Sequence, residues 1–246
     1  MRRPFSKTTV INYSRVPPGT RVYAIGDVHG RADLLEQTFS EIDQHRAAYP
    51  IANTIEIMLG DYIDRGPRSF DVIELLISRR VRGRRICLMG NHETYLLDFL
   101  KDPTSLAEWQ RYGGLETLMS YGLAPSLNPS PEDQKHLAAS LADRLPAHHR
   151  EFLTALPLCF ACGDYFFVHA GVRPEISLSD QRAEDLLLIR DDFLLHKGSF
   201  GKVVVHGHTP VSEPEIYNNR INIDTGAFAT GNLTCVVFEN DRILFL

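Results

Sequence analysis

The stretch that decides the fold is Val22-Tyr23-Ala24-Ile25-Gly26-Asp27-Val28-His29-Gly30. Four apolar residues end abruptly at Gly26, and a helical pattern of apolar residues begins after Gly30. This pattern is typical of a buried β-strand that ends in a turn and leads into a helix. Ligands of α/β proteins bind at the carboxyl ends of such strands. Asp27 and His29 therefore suit a divalent metal, although two ligands are too few and others must come from elsewhere in the chain.

The same design recurs at four further apolar runs, each of which passes directly into polar groups that bind metals or phosphate. Because the carboxyl ends of parallel strands lie at one edge of a sheet, these groups are expected to lie close together. The four polar stretches are Gly60-Asp61-Tyr62-Ile63-Asp64-Arg65-Gly66, Gly90-Asn91-His92-Glu93, His169-Ala170-Gly171 and His206-Gly207-His208-Thr209.

The bulk properties are those of a globular protein. The chain has 246 residues, 43% of them hydrophobic, which permits one large α/β domain. Its net charge of −5 argues against nucleic acid as the main partner, but not against phosphate chemistry. No apolar run approaches the roughly 20 residues of a membrane helix. No apolar region follows Arg2 and Arg3 as it would in a secretory signal, so we expect no membrane partner.

The spacing of the cysteines indicates in which cellular compartment the protein is expected. Cys159 and Cys162 have the spacing of a redox or zinc motif, but no second pair is present to complete a zinc site. We interpret these two, together with Cys87 and Cys235, as reduced and mostly buried strand residues of a cytoplasmic protein.

The order of the predicted elements indicates the fold class. Strands over residues 21–25, 55–59 and 86–89 alternate with helices, the first over 33–48, which implies parallel strands flanked by helices. After residue 158 strands return, and the last of them are short and closely spaced, which suits antiparallel pairing. The prediction is an α/β fold, a sandwich of two mixed β-sheets flanked by helices. The late strands are predicted over residues 165–168, 203–205, 221–223, 233–238 and 243–246.

The domain organisation follows from where this pattern starts and breaks. Residues 1–20 are polar and rich in proline, which predicts an irregular lead-in, and residues 21–246 predict a single domain. Residues from about 101 to 156 contain short helical pieces divided by prolines, and we interpret them as a helical insertion beside the metal-ligand edge. This insertion could shape substrate access or simply pack against the core.

The polar groups at the strand ends offer six nitrogen and oxygen ligands and no thiolate, which fits a pair of first-row divalent ions better than structural zinc. Asp61 is the candidate for a bridging carboxylate, which would hold two metals about 3.5–4 Å apart. Such a pair makes a hydroxide nucleophile from water near neutral pH. We expect two manganese ions, with iron and zinc as alternatives, bound by Asp27, His29, Asp61, Asn91, His169 and His208.

The motifs resemble the signature of a known family. Gly26-Asp27-Val28-His29-Gly30 and the four polar stretches resemble the PPP-type phosphoprotein phosphatases of the metallophosphoesterase superfamily. Asp224-Thr225-Gly226-Ala227, followed by Gly231-Asn232-Leu233-Thr234, is similar to the bacteriophage lambda protein phosphatase and its bacterial relatives. The similarity spans residues 22–238, and the motifs are highly specific in combination. It implies a metallophosphoesterase-like fold.

The resemblance divides the metal ligands into two groups. It implies that Asp27, His29 and Asp61 bind one metal, and that Asp61 also binds the second. The other ligands of the second metal would be Asn91, His169 and His208.

The resemblance also implies which groups act on the phosphate. His92 matches the general acid of the family, and Asp64 matches the carboxylate that orients it. Arg65 matches a phosphate-binding arginine, and Arg190 is the candidate for a second one. Two metals and two guanidinium groups would neutralise the charge that develops in phosphoryl transfer.

The implied activity is that of a metal-dependent phosphomonoesterase, which hydrolyses phosphoserine or phosphothreonine in proteins with the metal-activated hydroxide. Phosphotyrosine and nucleotide polyphosphates are further candidate substrates. The alternative is a symmetrical hydrolase of dinucleoside polyphosphates such as diadenosine tetraphosphate. Asp64, Glu93 and Thr209 favour the protein phosphatase, because the symmetrical hydrolases tend to carry other residues there. A third hypothesis is a metal-loaded scaffold with negligible turnover.

Several polar residues near these motifs are given other roles. Glu93 is interpreted as the start of a helix rather than as a ligand. His206 is interpreted as a residue that supports the ligands, with direct metal binding as the alternative. A structural role is predicted for His45, His136, His148, His149 and His196.

Overall fold

The computed structural model describes residues 9–10, 14–80 and 83–246 of the chain. Residues 9–10 fall within the predicted lead-in, yet Thr9–Val10 form a short strand that pairs with a strand at the other end of the chain. The lead-in is therefore not irregular throughout, because this pairing extends the edge of a sheet.

The described residues form eleven strands and ten α-helices. The strands are β1 (Thr9–Val10), β2 (Thr20–Ile25), β3 (Asn53–Met58), β4 (Arg84–Cys87), β5 (Cys159–Cys162), β6 (Tyr165–Val168), β7 (Val203–His206), β8 (Glu215–Ile216), β9 (Arg220–Asn222), β10 (Cys235–Glu239) and β11 (Arg242–Phe245). The helices are α1 (Ala32–Ala48), α2 (Ser69–Ser78), α3 (Asn91–Phe99), α4 (Leu106–Trp109), α5 (Gly114–Ser120), α6 (Pro131–Arg144), α7 (Ala147–Thr154), α8 (Ala183–Leu188), α9 (Asp191–Leu194) and α10 (Ala227–Thr230).

The first sheet has six strands in the order β1-β11-β10-β2-β3-β4. β2, β3 and β4 run parallel, as predicted. Their carboxyl ends are aligned, since Ile25 lies opposite Met58 and Met58 lies opposite Cys87. The loops that follow these three strands therefore start from the same edge of the sheet.

The second sheet has five strands in the order β5-β6-β7-β9-β8. β6, β7 and β9 run parallel, so the loops that follow them also start from one edge. The prediction of antiparallel pairing for the last strands is confirmed for β10 and β11, whereas β9 pairs antiparallel with β8 but parallel with β7. Residues 207–219 lie between β7 and β9, which is enough chain to return in the same direction.

The two sheets pack against each other with helices on their outer faces, because alternate residues of a buried strand point to opposite layers. In β2, Ala24 belongs to the core between the sheets, together with Val205 of the second sheet. Its neighbour Ile25 faces the helices and belongs to the same core as Leu35 of α1. Phe193 of α9 belongs to a third core, on the outer face of the second sheet. The predicted fold class is confirmed.

Residues 101–156 fold into α4 to α7 and two short 3₁₀ segments, Pro103–Ser105 and Gln110–Tyr112. Leu106, Trp109 and Leu141 from this region belong to the core that α1 forms with the first sheet. The region is thus packed onto the rest of the molecule, while its description as an insertion into a single domain stays a prediction.

The cysteines and the helices agree with two further expectations. All four cysteines lie in strands as free thiols; three are buried and Cys159 is half-buried, which confirms their interpretation. Among the described residues, no helix combines the length and the apolar character that crossing a membrane requires. A cytoplasmic location stays a prediction.

Candidate metal centre

The polar loops meet at the shared edge of the two sheets, and their backbone there is strained. Non-glycine residues with positive φ are uncommon, and each costs on the order of 1–3 kcal/mol. Only two other non-glycine residues in the described part of the chain, Glu175 and Asn240, adopt this conformation. The fold therefore holds particular side chains in place at a cost in stability, as is common at functional sites. These residues are His29 (φ 45°), Asp61 (51°), Asp64 (71°), Arg65 (65°) and His208 (64°).

One group of donor atoms forms around Oδ2 of Asp61. His29 Nε2 lies 3.4 Å from this oxygen, and His92 Nε2 lies 3.7 Å from it. His29 Nδ1 donates a hydrogen bond of 2.9 Å to the carbonyl oxygen of Ile63. This bond leaves the lone pair on Nε2 directed at the centre, which is the arrangement of a metal-binding histidine.

A second group forms around the other carboxylate oxygen of Asp61. His169 Nε2 lies 3.3 Å from Asp61 Oδ1 and 2.9 Å from Asn91 Oδ1. His208 Nδ1 is also 2.9 Å from Asn91 Oδ1. His169 Nδ1 donates to the carbonyl of Leu59 at 2.9 Å, which again frees Nε2. Asp61 thus offers one oxygen to each group, as a bridging carboxylate would.

Asp27 is buried beside these groups, and its charge is only partly compensated. Its Oδ2 accepts a 3.0 Å hydrogen bond from the backbone N–H of His208. Its Oδ1 is buried without a hydrogen-bonding partner among the described residues. A Cβ on Gly207 would collide with this oxygen, which explains the glycine at that position. Burial, followed by repulsion from Asp224 and Asp61, raises the pKa of Asp27 well above its ordinary value.

The donor set and the partly compensated charge together fit divalent cations. All six side chains predicted as ligands lie at this edge, and carboxylate, amide and imidazole donors suit first-row divalent ions. Although burial alone would raise it, the pKa of Asp61 is lowered because His169, His92 and His29 favour its charged form. The assignment of each ligand to a metal stays a prediction.

Asp224 is a third buried carboxylate that the sequence analysis used only for the resemblance. Burial, with a contribution from the charge of Asp61, raises the pKa of Asp224 to about 6. It follows the end of β9 after Ile223, at the end of a stretch in which polar and apolar residues alternate. The uninterrupted apolar run that marked the other residues of the centre is therefore absent before Asp224.

Glu93 is buried but does not face the two donor groups. Its carboxylate accepts hydrogen bonds from the backbone N–H groups of Asp61 at 2.9 Å, Tyr62 at 2.8 Å and Gly90 at 2.9 Å. It begins α3, as interpreted, and fixes the loop that carries Asp61. Burial and the charge of Asp61 raise the pKa of Glu93 to about 8.

His92 and Asp64 form a buried pair next to the centre. His92 Nδ1 lies 2.6 Å from Asp64 Oδ2. Although burial alone would lower it, the pKa of His92 is raised, because Asp61 and Asp64 favour the imidazolium. Two residues of the helical region also donate to Asp64: Trp109 Nε1 at 2.8 Å and Thr117 Oγ1 at 2.6 Å. The helical region therefore orients this pair, a role that sequence reasoning did not assign to Trp109 or Thr117.

The two predicted arginines lie on different sides of the centre. Arg65 Nη2 is 3.2 Å from His92 Nε2. Arg190 is exposed, and its charge adds to the effect of burial, which lowers the pKa of His169 and His208. The ring of His206 packs against Phe193 at a centroid distance of 4.8 Å, and its supporting role stays a prediction.

The chain belongs to the calcineurin-like phosphoesterase family, whose model matches residues 20–245. The resemblance to the metallophosphoesterases is therefore confirmed, and the protein is a metal-dependent phosphoesterase. The similarity to the bacteriophage lambda phosphatase stays a prediction.

Two curated relatives cover most of the chain. One is the asymmetrical bis(5'-nucleosyl)-tetraphosphatase PrpE of Oceanobacillus iheyensis, which is 28% identical over 91% of this chain and 91% of its own length. The other is the protein of the same name from Bacillus subtilis, which is 30% identical over 85% of this chain and 87% of its own length.

Solved structures share the fold at lower identity. A crystal structure described as that of a candidate diadenosine tetraphosphatase has a TM-score of 0.64 and 20% identity, and covers 95% of this chain and 98% of its own. The cold-active protein-tyrosine phosphatase of a Shewanella species has a TM-score of 0.59 and 16% identity, and covers 93% and 80%. Both confirm the fold and neither decides the substrate.

The bridging role predicted for Asp61 can be tested by substitution. Asp61→Asn should remove most metal binding, because the amide lacks the charge and the second anionic oxygen that a bridge requires. Equilibrium dialysis against Mn²⁺ with metal analysis measures the stoichiometry. Asp98→Asn, which changes an exposed aspartate, serves as the control. Two metals bound to Asp61→Asn would disprove the bridge.

Proposed function

We propose that this protein hydrolyses dinucleoside polyphosphates asymmetrically. The observation that carries the proposal is the name shared by the two curated relatives, which are similar over most of the chain. This substrate class is the alternative weighed in the sequence analysis rather than its first choice. The mode of cleavage differs from the symmetrical one considered there, because both relatives are named asymmetrical.

Three residues agree with the asymmetrical mode. The symmetrical hydrolases tend to carry other residues at the positions of Asp64, Glu93 and Thr209. In this chain Asp64 is bonded to His92, and Glu93 holds the loop of Asp61. The residues that favoured a protein phosphatase thus argue only against symmetrical cleavage and are compatible with the proposal.

The centre supplies the chemistry that both substrate classes require. When bound, two divalent ions provide positive charge at the phosphoryl oxygens and a nucleophile from water. Asp27, His29, Asp61, Asn91, His169 and His208 would hold them. Arg65 lies where its guanidinium can bind a phosphate oxygen beside His92, and Arg190, whose charge acts on His169 and His208, is the candidate for a second phosphate-binding arginine.

Exposed aromatic side chains beside the centre support a nucleotide substrate. Tyr112 is 39% exposed, and its ring lies 6.2 Å from that of His92. It stacks on Tyr95 at 5.1 Å with an interplanar angle of 6°, which holds it rigid. Phe228 is 37% exposed and lies 5.7 Å from the ring of His29. Nucleobases stack on such rings, so two exposed rings beside His92 and His29 suit a substrate that carries nucleobases.

The products of diadenosine tetraphosphate test the proposal. Asymmetrical cleavage of four phosphates gives one AMP and one ATP, whereas symmetrical cleavage gives two ADP. We expect the Mn²⁺-loaded protein to release AMP and ATP in equal amounts, measured by ion-exchange chromatography. Release of ADP alone would contradict the asymmetrical mode, and turnover restricted to phosphopeptides would contradict the substrate class.

Base stacking on Tyr112 predicts that removing its ring weakens the binding of a nucleotide substrate but not of a substrate without a base. Tyr112→Ala should raise KM for diadenosine tetraphosphate about 5–150-fold, because stacking of one base contributes roughly 1–3 kcal/mol. KM for p-nitrophenyl phosphate, which has no base, should remain at the wild-type value. Tyr49→Ala, at an exposed tyrosine that follows α1, is the control. Equal changes in KM for both substrates would rule out stacking.

A second candidate function is hydrolysis of phosphoserine or phosphothreonine in proteins, and the pair of His92 and Asp64 favours it. A serine alkoxide is a poor leaving group and needs a proton, which an imidazolium held by a carboxylate can donate. A nucleotide leaves as an anion of low basicity and has little need of this acid. The buried pair, at 2.6 Å, is therefore the feature that a phosphomonoesterase would use most.

The substitution His92→Asn separates the two functions, because their leaving groups differ in how much they need a proton. It should lower turnover of a phosphoserine peptide by about 10²–10⁴-fold, the usual contribution of a general acid. The loss should be much smaller for p-nitrophenyl phosphate and for diadenosine tetraphosphate. Steady-state rates on the three substrates provide the measurement. If all three fell by the same factor, His92 would not act as an acid.

A further inference from the structure

A second cluster of metal-binding side chains lies outside the candidate centre. Glu74 is on α2, and His148 and His149 are neighbours at the start of α7. His148 Nε2 lies 2.7 Å from Glu74 Oε1, and His149 Nε2 lies 2.8 Å from the same oxygen. The three donor atoms are within 4.8 Å of one another. The sequence analysis predicted only a structural role for both histidines.

The surroundings of His149 support ligation. Its side chain is fully buried, and its Nδ1 lies 2.8 Å from the hydroxyl of Tyr121. A hydroxyl can donate or accept, so Tyr121 supports the tautomer that bonds Glu74 and also the one that leaves Nε2 free for a metal. Histidine ligands usually have such a partner on the second ring nitrogen. Burial lowers the pKa of His149, which keeps the ring neutral.

The geometry allows a small movement to complete a site. Zinc bonds of 2.0–2.2 Å in tetrahedral geometry place the donor atoms roughly 3.3 Å apart. The present separations of 2.7 and 2.8 Å need to open by only about half an ångström. The side chains of Glu74 and His148 are 39% and 51% exposed, so they are free to move and leave a coordination position open to solvent.

We propose that Glu74, His148 and His149 bind a transition-metal ion such as Zn²⁺, separately from the candidate metal centre. Two histidines and one glutamate are a known zinc ligand set, with water in the fourth position. The ion would join α2 to α7. Ser69, the first residue of α2, bonds the backbone N–H of Asp64 at 3.1 Å, and Thr117 of the helical region bonds its carboxylate. The site would therefore brace α2, one of the helices that hold Asp64.

Zinc stoichiometry of the full-length chain tests the proposal. His148→Ala should bind one equivalent of Zn²⁺ fewer than wild type in equilibrium dialysis with metal analysis. His136→Ala should bind as much as wild type, since exposed His136 faces only Glu132, at 3.8 Å, and joins no group of three potential ligands in the described residues. Both variants change exposed side chains, and their Mn²⁺-dependent turnover of p-nitrophenyl phosphate should match that of wild type.

Cobalt spectroscopy provides an independent measurement. Tetrahedral Co²⁺ absorbs strongly in the visible range, and the wild-type spectrum minus that of Glu74→Gln should contain the bands of one such ion. Glu74→Gln retains hydrogen-bonding capacity but loses the anionic ligand. Equal zinc content in wild type, His148→Ala and Glu74→Gln, with identical cobalt spectra, would overturn the proposal and leave a hydrogen-bonded cluster only.

Discussion

The structure depends on one electrostatic constraint, which is the burial of several carboxylates at the edge shared by two sheets. Asp27, Asp61 and Asp224 are each at most 2% exposed. Burying charge without compensation is costly, and one oxygen of Asp27 lacks a hydrogen-bonding partner among the described residues. Imidazoles and Arg65 supply part of the compensation, and divalent cations would supply the rest. The strained backbone at His29 and Asp61 is a further cost of the same arrangement.

These groups lie close together because the strands that carry them end at the same edge of the two sheets. Aligned ends of β2, β3 and β4 deliver Asp27, Asp61 and Asn91 from the first sheet. The parallel strands β6 and β7 deliver His169 and His208 from the second. Because the core between the sheets is continuous, neither half of the centre can shift without disturbing the other. Asp61, which touches both groups of donor atoms, is where this coupling is most direct.

The residues that would choose the substrate differ from those that would bind the metals. The predicted ligands suit phosphomonoesters and phosphoanhydrides alike, and the fold that this chain shares with solved structures does not decide between them. What differs is the proton that the leaving group needs and the surface that the rest of the substrate contacts. In the proposed function, His92 with Asp64 would supply the proton, and Tyr112 with Phe228 would contribute to the contact surface. The helical region supplies Trp109 and Tyr112, so it contributes to both.

The sequence by itself determined the fold class and predicted six ligand residues that the structure brings to one edge, because apolar runs that end in polar groups leave a recognisable signal. That signal is absent before Asp224, where polar and apolar residues alternate. Only the tertiary structure decided the parallel pairing of β9, the contacts of Trp109 and Thr117 with Asp64, and the cluster at Glu74. These contacts join residues 45 to 75 positions apart, and no local pattern records them, since they arise only when separate elements pack together.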